Sequence, residues 1–243
     1  MWTVADWKTM TASLSPVLTE QDGWKSLLRA VVFRSDLPRG AVMAVSTWRM
    51  HVARTERFGA NFALGSTEFR RLDAFVQSNR DSQTIAVKRI GQRVEVLIGD
   101  RRLEATSLPK GDPIWTGSRV HMNPRGGCVR VARGALVDAL GTARRAPNGV
   151  SLWRDAAAVQ LAPFAAEAHH AIPVPCRGRA LLPLVTLNPA FLADALSLCA
   201  AELLHLHIYA PTKPVYLRDE NALACIMPLD YSRLAPPTTE TAS

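Results

Sequence analysis

Apolar positions recur along the chain with two periods, and the switch between them marks its elements. In residues 4–18, Trp7, Met10, Leu14 and Val17 fall three or four apart on one stripe, with Lys8 elsewhere on the surface, which predicts an amphipathic helix. Residues 66–78 repeat the pattern: Phe69, Leu72, Phe75 and Val76 face inward and Arg70 and Arg71 outward, with Ser66 or Thr67 as the cap and Glu68 in the first turn. A third helix is predicted over 130–146 from Val131, Leu136, Val137 and Leu140. A fourth opens on Asn188 and Pro189 and carries Phe191, Leu192, Ala195, Leu196 and Cys199. The period of two predicts strands elsewhere. Residues 27–33 and 41–45 flank an Asp36-Leu37-Pro38-Arg39-Gly40 turn as a hairpin, followed directly by Thr47-Trp48-Arg49-Met50-His51-Val52-Ala53. Residues 84–89, 94–98 and 102–107 form three more, with turns at Gly91 and Gly99-Asp100. Leu204, Leu206 and Ile208 then alternate with His205, His207 and Tyr209, and a Pro-Thr-Lys-Pro turn leads to strands at 215–218 and 223–229. Residues 151–153 and 158–163 supply further strand and loop material, and Ile172-Pro173-Val174-Pro175 reads as a hinge.

The order helix, strand, turn, strand, turn, strand therefore occurs twice, at an offset of about 120 residues, with Phe69 corresponding to Phe191 and Pro109 to Pro228. A repeated supersecondary unit implies a pseudo-symmetric assembly, and 243 residues accommodate two domains, each long enough to bury its own core. The boundary is expected near residues 117–127.

The C-terminal unit carries a resemblance. Its Asn188-Pro189-x-Phe191-Leu192-x-Asp194-x-Leu196 helix, its turn into Lys213-Pro214-Val215 and its closing Met227-Pro228-Leu229 resemble the C-terminal domain of the bacterial DNA polymerase sliding clamp, the beta subunit of the replicative polymerase. The TWRMHVA segment sits where that family has Thr-Asp-Gly-His/Tyr-Arg-Leu-Ala after the same hairpin, in a shortened version. The resemblance extends over nearly the whole chain, as the family's second and third domains in order. It implies an α+β DNA-clamp fold with domains at 1–120 and 121–229, each with two helices packed on antiparallel sheets, and a disordered tail at 230–243. The family has three such domains per chain; a six-domain ring of this chain is expected to be a homotrimer.

The resemblance also implies a function: a processivity factor that encircles double-stranded DNA and tethers DNA polymerase, clamp-loader and other client peptides in a groove between domains. Carried over by position, that groove comprises Arg49, Met50, Pro113, Cys225, Ile226, Met227, Pro228 and Leu229. The DNA-facing candidates on the helices are Lys8, Arg70, Arg71, Arg133, Arg144 and Arg145. Tyr231 and Leu234 of the Pro-, Thr- and Ser-rich tail are expected to reach back to the groove as an intrinsic competitor. The alternative is a clamp-fold regulator or decoy that takes up client peptides without encircling DNA.

Composition adjusts this picture in three ways. The formal charge is +8 and the pI near 9.9, which favours a polyanionic partner, nucleic acid first. Bacterial clamps tend to be acidic outside the hole, however, and residues 188–200 carry no Lys or Arg. Cys128, Cys176, Cys199 and Cys225 are far apart, signal neither zinc site nor disulfide framework, and are expected to be reduced and mostly buried. His205 and His207 share a strand face, and His169 and His170 are adjacent, but no third ligand stands at suitable spacing, so a polar strand face is the simpler explanation and no cofactor or metal is expected. Gly-rich phosphate loops, G-x-S-x-G and paired-carboxylate signatures are absent, which argues against an enzyme. With no long apolar run and no leader-like start, a cytoplasmic location without membrane contact is expected.

Overall fold

The computed structural model describes residues 2–18, 30–37, 39–109, 121–124, 127–143, 149–155, 157–164 and 170–229. The first unit runs α1 (Val4–Leu18), β1 (Ala30–Arg34), β2 (Gly40–Val45), β3 (Arg49–Thr55), β4 (Phe62–Gly65), α2 (Ser66–Gln77), β5 (Ile85–Ile90), β6 (Arg93–Ile98) and β7 (Arg101–Thr106). The second runs β8 (Gly127–Ala132), α3 (Arg133–Ala143), β9 (Val150–Arg154), β10 (Ala158–Pro163), β11 (Ile172–Arg177), β12 (Val185–Leu187), α4 (Pro189–Leu198), β13 (Leu203–Ile208), β14 (Val215–Arg218) and β15 (Ala222–Ile226). Among the described residues no helix is long and apolar enough to cross a membrane.

Each unit contains the same exchange of strands. β12, from the second half of its unit, extends the β9-β10-β11 meander of the first half, and β8 returns the exchange by pairing with β13-β14-β15. In the first unit β4 extends β1-β2-β3, while the reciprocal strand is reduced to a bridge between Thr3 and Thr84 beside β5-β6-β7. The repeating module is thus strand, helix, three strands. Each unit has its own core: one draws on residues from Trp2 to Ala105, the other on residues from Val129 to Ile226. The first is aromatic, with Trp2, Trp7, Phe33, Phe58, Phe62 and Phe69 in mutual contact. The buried Trp7 indole donates to Asp73 Oδ1 at 2.7 Å, which satisfies its single polar atom and ties α1 to α2.

β3 and β15 join the units. Their antiparallel register, from Ala53 opposite Ala222 to Arg49 opposite Ile226, fuses the sheets into one of 12 strands. The helices pack side by side in the order α2, α1, α4, α3, with α1 and α4 in contact at the seam and α4 packing on both β3 and β15. A third apolar cluster, including Met43, Met50, Val52, Tyr216, Leu223 and Cys225, covers the opposite sheet face and contains no helical residue. The assembly has helices on one side and strands on the other.

Several sequence expectations are corrected. The helix expected from residue 130 starts at Arg133, because Val129 and Val131 turn inward with period two and β8 is a strand through Ala132. Val137 lies on the exposed side of α3. The hinge expected at 172–175 is the strand β11, which keeps its two prolines outward and pairs with β10. The short strands β4 and β12 were not anticipated, and β15 ends at Ile226 rather than at 229. The expected helix start at Asn188 is an N-cap whose Oδ1 accepts the Ala190 N–H at 2.9 Å, with Pro189 beginning the helix. The expected boundary at 117–127 and the tail at 230–243 fall largely or wholly outside the described residues.

Candidate functional site

The β3-β15 seam gathers most of the residues expected in the groove. Arg49 faces Ile226, Met50 faces Cys225, and all four are buried. Arg49 is only 6% exposed: its guanidinium is ion-paired with Asp194 of α4, donates to the Pro16 carbonyl of α1 at 2.6 Å and stacks over the Phe191 ring at 4.2 Å. The chain crosses over at its end, where the Met227 N–H donates to the Trp48 carbonyl and the Leu229 N–H to the Thr186 carbonyl, both at 2.8 Å. Met227, Pro228 and Leu229 are half-buried, while Trp48 is 48% exposed. Four of the eight groove residues thus lie beneath the surface and three at its rim. Pro113 lies outside the described residues. Trp48 is the addition: sequence reading placed it in a shortened segment, and its exposure comes from the tight turn whose Ser46 N–H donates to the Arg49 carbonyl at 2.9 Å.

Beside Arg49, His51 is fully buried and its Nδ1 donates to the Ser13 carbonyl at 3.2 Å. Burial, reinforced by the Arg49 guanidinium, pushes its pKa down to about 4, against the opposing pull of the Ser13 carbonyl and Asp194. The folded state therefore holds His51 neutral where the unfolded state takes up a proton. Stability from this residue is intact above pH 6.5 and falls as the pH drops through 4, by about 3 kcal/mol in all. Urea midpoints at neutral and acid pH are expected to differ less in His51→Gln than in the unaltered chain.

The helix row presents less positive charge than expected. Lys8 is ion-paired with Asp81 at 2.7 Å. Arg71 pairs with Glu68 at 3.3 Å and donates to the Glu104 carbonyl. Arg133 donates through Nε to the Leu196 carbonyl at 2.9 Å, so its charge caps the C-terminal end of α4. Arg70 is exposed, and Arg144 and Arg145 lie outside the described residues. The remaining outward positions are mostly small or neutral, among them Thr9, Ala12, Ser15, Gly134, Val137 and Ser197.

On the opposite sheet face, a pocket of about 690 Å³ at the far end of the seam is lined by Arg54, Arg130, Arg218 and His205 together with Asp219, Glu220 and Asn221. Next to it Cys128 Sγ lies 3.6 Å from His205 Nδ1, and Cys128, His205 and His207 bring three ligand-type atoms within 4.8 Å of one another. Sequence spacing concealed this group, because its third member comes from β8, 77 residues away. Cys199 and Cys225 are sealed, and burial pushes both up to about 12. His170 is exposed, and His169 lies outside the described residues.

This row of helices against a fused antiparallel sheet, built from paired strand-helix-three-strand modules, is the fold of the DNA polymerase sliding clamps. Solved structures carry it over 93% of this chain: the DNA polymerase III beta subunit of Thermotoga maritima (TM-score 0.74, 18% identity), the sliding clamp of Pseudomonas aeruginosa (0.72, 13%) and that of Caulobacter crescentus (0.72, 12%). The chain spans 64–65% of the length of those proteins. No protein-family model and no curated protein matches the sequence.

Proposed function

We propose that the chain is a sliding-clamp component that closes with copies of itself into a ring around duplex DNA and tethers polymerase and clamp-loader peptides at the seam. It is a cytoplasmic, non-enzymatic processivity factor in this reading. The observation that carries it is the fused seam: four helices pack in one row, and a 12-stranded sheet joins the two clamp units, with β5-β6-β7 as a separate three-stranded sheet. Such an array encloses a hole when head-to-tail contacts repeat and the rotation closes, and three copies of a two-unit chain supply six units. Trp48, Met227, Pro228 and Leu229 form the accessible rim for a client peptide, at the end of a seam that buries Met50 and Cys225 on one sheet face and Arg49 and Ile226 on the helix face. Lys8, Arg70, Arg71 and Arg133, with Arg144 and Arg145, are the proposed phosphate-facing groups, whose contacts give sequence-independent and salt-sensitive affinity.

One observation favours the second reading, a clamp-fold regulator or decoy. By the pseudo-symmetry of the units, the contact equivalent to the β3-β15 seam in a ring joins β11 of one copy to β7 of the next. β11 carries Pro173 and Pro175, both exposed, at alternate positions. On the side away from β10, β8 takes up only Cys176 and Arg177, and the missing N–H groups leave the rest of that side short of donors, a device that blunts strand pairing. Light scattering over a range of concentrations, followed by retention on nicked circular against linear DNA, separates the two. A stable mass of three chains with loss of retention on linearisation supports the ring. A monomer that still binds client peptide supports the regulator.

A further inference from the structure

We infer that Cys128, His205 and His207 form a binding site for one thiophilic d10 metal ion, Zn²⁺ or Cu⁺, on the sheet face opposite the helices. The residue order on β13 sets His205 and His207 two apart, so both side chains leave the same face. Pairing with β8 then places Cys128 directly across from His207 and Arg130 across from His205. The three donor atoms lie within 4.8 Å of one another. A tetrahedral ion with bonds of about 2.0–2.3 Å holds its ligands about 3.5 Å apart, a contraction within reach of small side-chain rotations.

His207 supplies an independent sign. It is only 5% exposed, and among the described residues neither of its ring nitrogens has a hydrogen-bond partner. A buried imidazole with both nitrogens unsatisfied is costly, and a metal bond satisfies one of them without any rearrangement of the sheet. The donor set, one thiolate and two imidazoles, selects borderline-soft and soft ions and excludes Mg²⁺ and Ca²⁺. Arg130 and Arg218 share this face, each across from His205 on a neighbouring strand. A thiolate with two neutral imidazoles gives a neutral complex with Cu⁺ and a cationic one with Zn²⁺, so these guanidinium groups weight the preference towards Cu⁺. His205 also borders the 690 Å³ pocket, which provides the entry path. An ion held here clips β8 to β13, strands contributed by the two halves of the second unit.

The full chain, reduced and metal-free, is titrated with Zn²⁺ and, under anaerobic reducing conditions, with Cu⁺; Co²⁺ serves as an optical probe of thiolate ligation. One equivalent is expected to bind, with a sulfur-to-cobalt charge-transfer band and a raised melting temperature in the metal-loaded chain. Cys128→Ser, nearly isosteric, and His207→Gln should each weaken binding by at least about 100-fold, the upper end of what even an outer partner's loss costs. Cys176→Ser should bind unchanged, because Cys176 pairs with Val131 and packs into the helix-side core. Tighter Cu⁺ than Zn²⁺ binding supports the charge argument; the reverse order overturns that argument and keeps the site. Absence of stoichiometric binding by either ion, or full binding by Cys128→Ser, overturns the site.

Discussion

Phe33→Ala is expected to lower the unfolding free energy by about 3–5 kcal/mol, the range for removing a large aromatic side chain from a packed core. Phe33 is fully buried at the centre of the aromatic cluster: it stacks on Phe62 at 4.3 Å and on Trp7 at 5.8 Å, and meets Phe58 edge-on at 5.7 Å. Rigid rings hinged to α1, β4 and the 56–61 loop cannot collapse into the hole, and each favourable ring pair adds about 0.5–1.5 kcal/mol beyond its area. Against a total stability of about 5–15 kcal/mol for a domain, the loss is a large fraction of the first unit's margin. Urea denaturation measures it. Phe33→Leu, which keeps most of the volume, should lose less than half as much, and a loss from the alanine variant of under about 1.5 kcal/mol would mean that the cluster repacks.

Arg49→Ala is expected to cost about 3–4 kcal/mol, slightly below the upper range for breaking a buried ion pair because Asp194, with 31% of its side chain exposed, regains some water. The loss reaches across the molecule. A single guanidinium holds the last turn of α1 through the Pro16 carbonyl and α4 through Asp194 and the Phe191 ring, so its removal loosens the contact of the two helices that meet at the seam. Arg49→Lys keeps the charge but lacks the planar fork needed to span both partners and stack, and should recover less than half of the loss. Asp194→Asn, which removes the charge and keeps the arginine, completes the comparison. Hydrogen exchange of β3 and β15 amides is the sharper readout: faster exchange there in Arg49→Ala, with β9 and β10 unchanged, locates the effect at the seam. Uniform loss of protection would place it in the core instead.

Elements whose burial pattern is local were legible. The helix expected at 66–78 is α2 at Ser66–Gln77, and strands expected at 84–89, 94–98 and 102–107 lie within a residue or two of β5, β6 and β7. Their turns contain Gly91 and Gly99 at positive φ, which glycine adopts without strain. The exchanged strands were harder to see: β4 and β12 run for only 4 and 3 residues, and only the pairing partner distinguishes them from loop. β8 was absorbed into the helix that follows it without a break. The candidate sites divide in the same way. The seam residues were reachable because Arg49, Met50 and the 225–229 segment keep their order along the chain. The sequence also contained His205 and His207, but nothing in it indicates that Cys128 lies across from them, since that follows from the β8-β13 register. Likewise, formal charge counts Arg133, Lys8 and Arg71 as free cations, whereas folding commits them to a helix end and to carboxylates.

The unequal furnishing of the two cores makes the units optically distinct. Trp2 and Trp7 lie inside the first core among four phenylalanines, whereas the fully buried members of the second are aliphatic or cysteine. Near-ultraviolet circular dichroism, which responds to aromatic rings in fixed chiral surroundings, will therefore be weighted towards the first unit, with Trp153, Phe191 and Tyr216 among the second unit's contributors, while far-ultraviolet signal averages over both. If the seam makes the two units a single cooperative body, the two spectra will melt together. If it does not, the gap between the two curves is a direct reading of how strongly one clamp unit feels its neighbour.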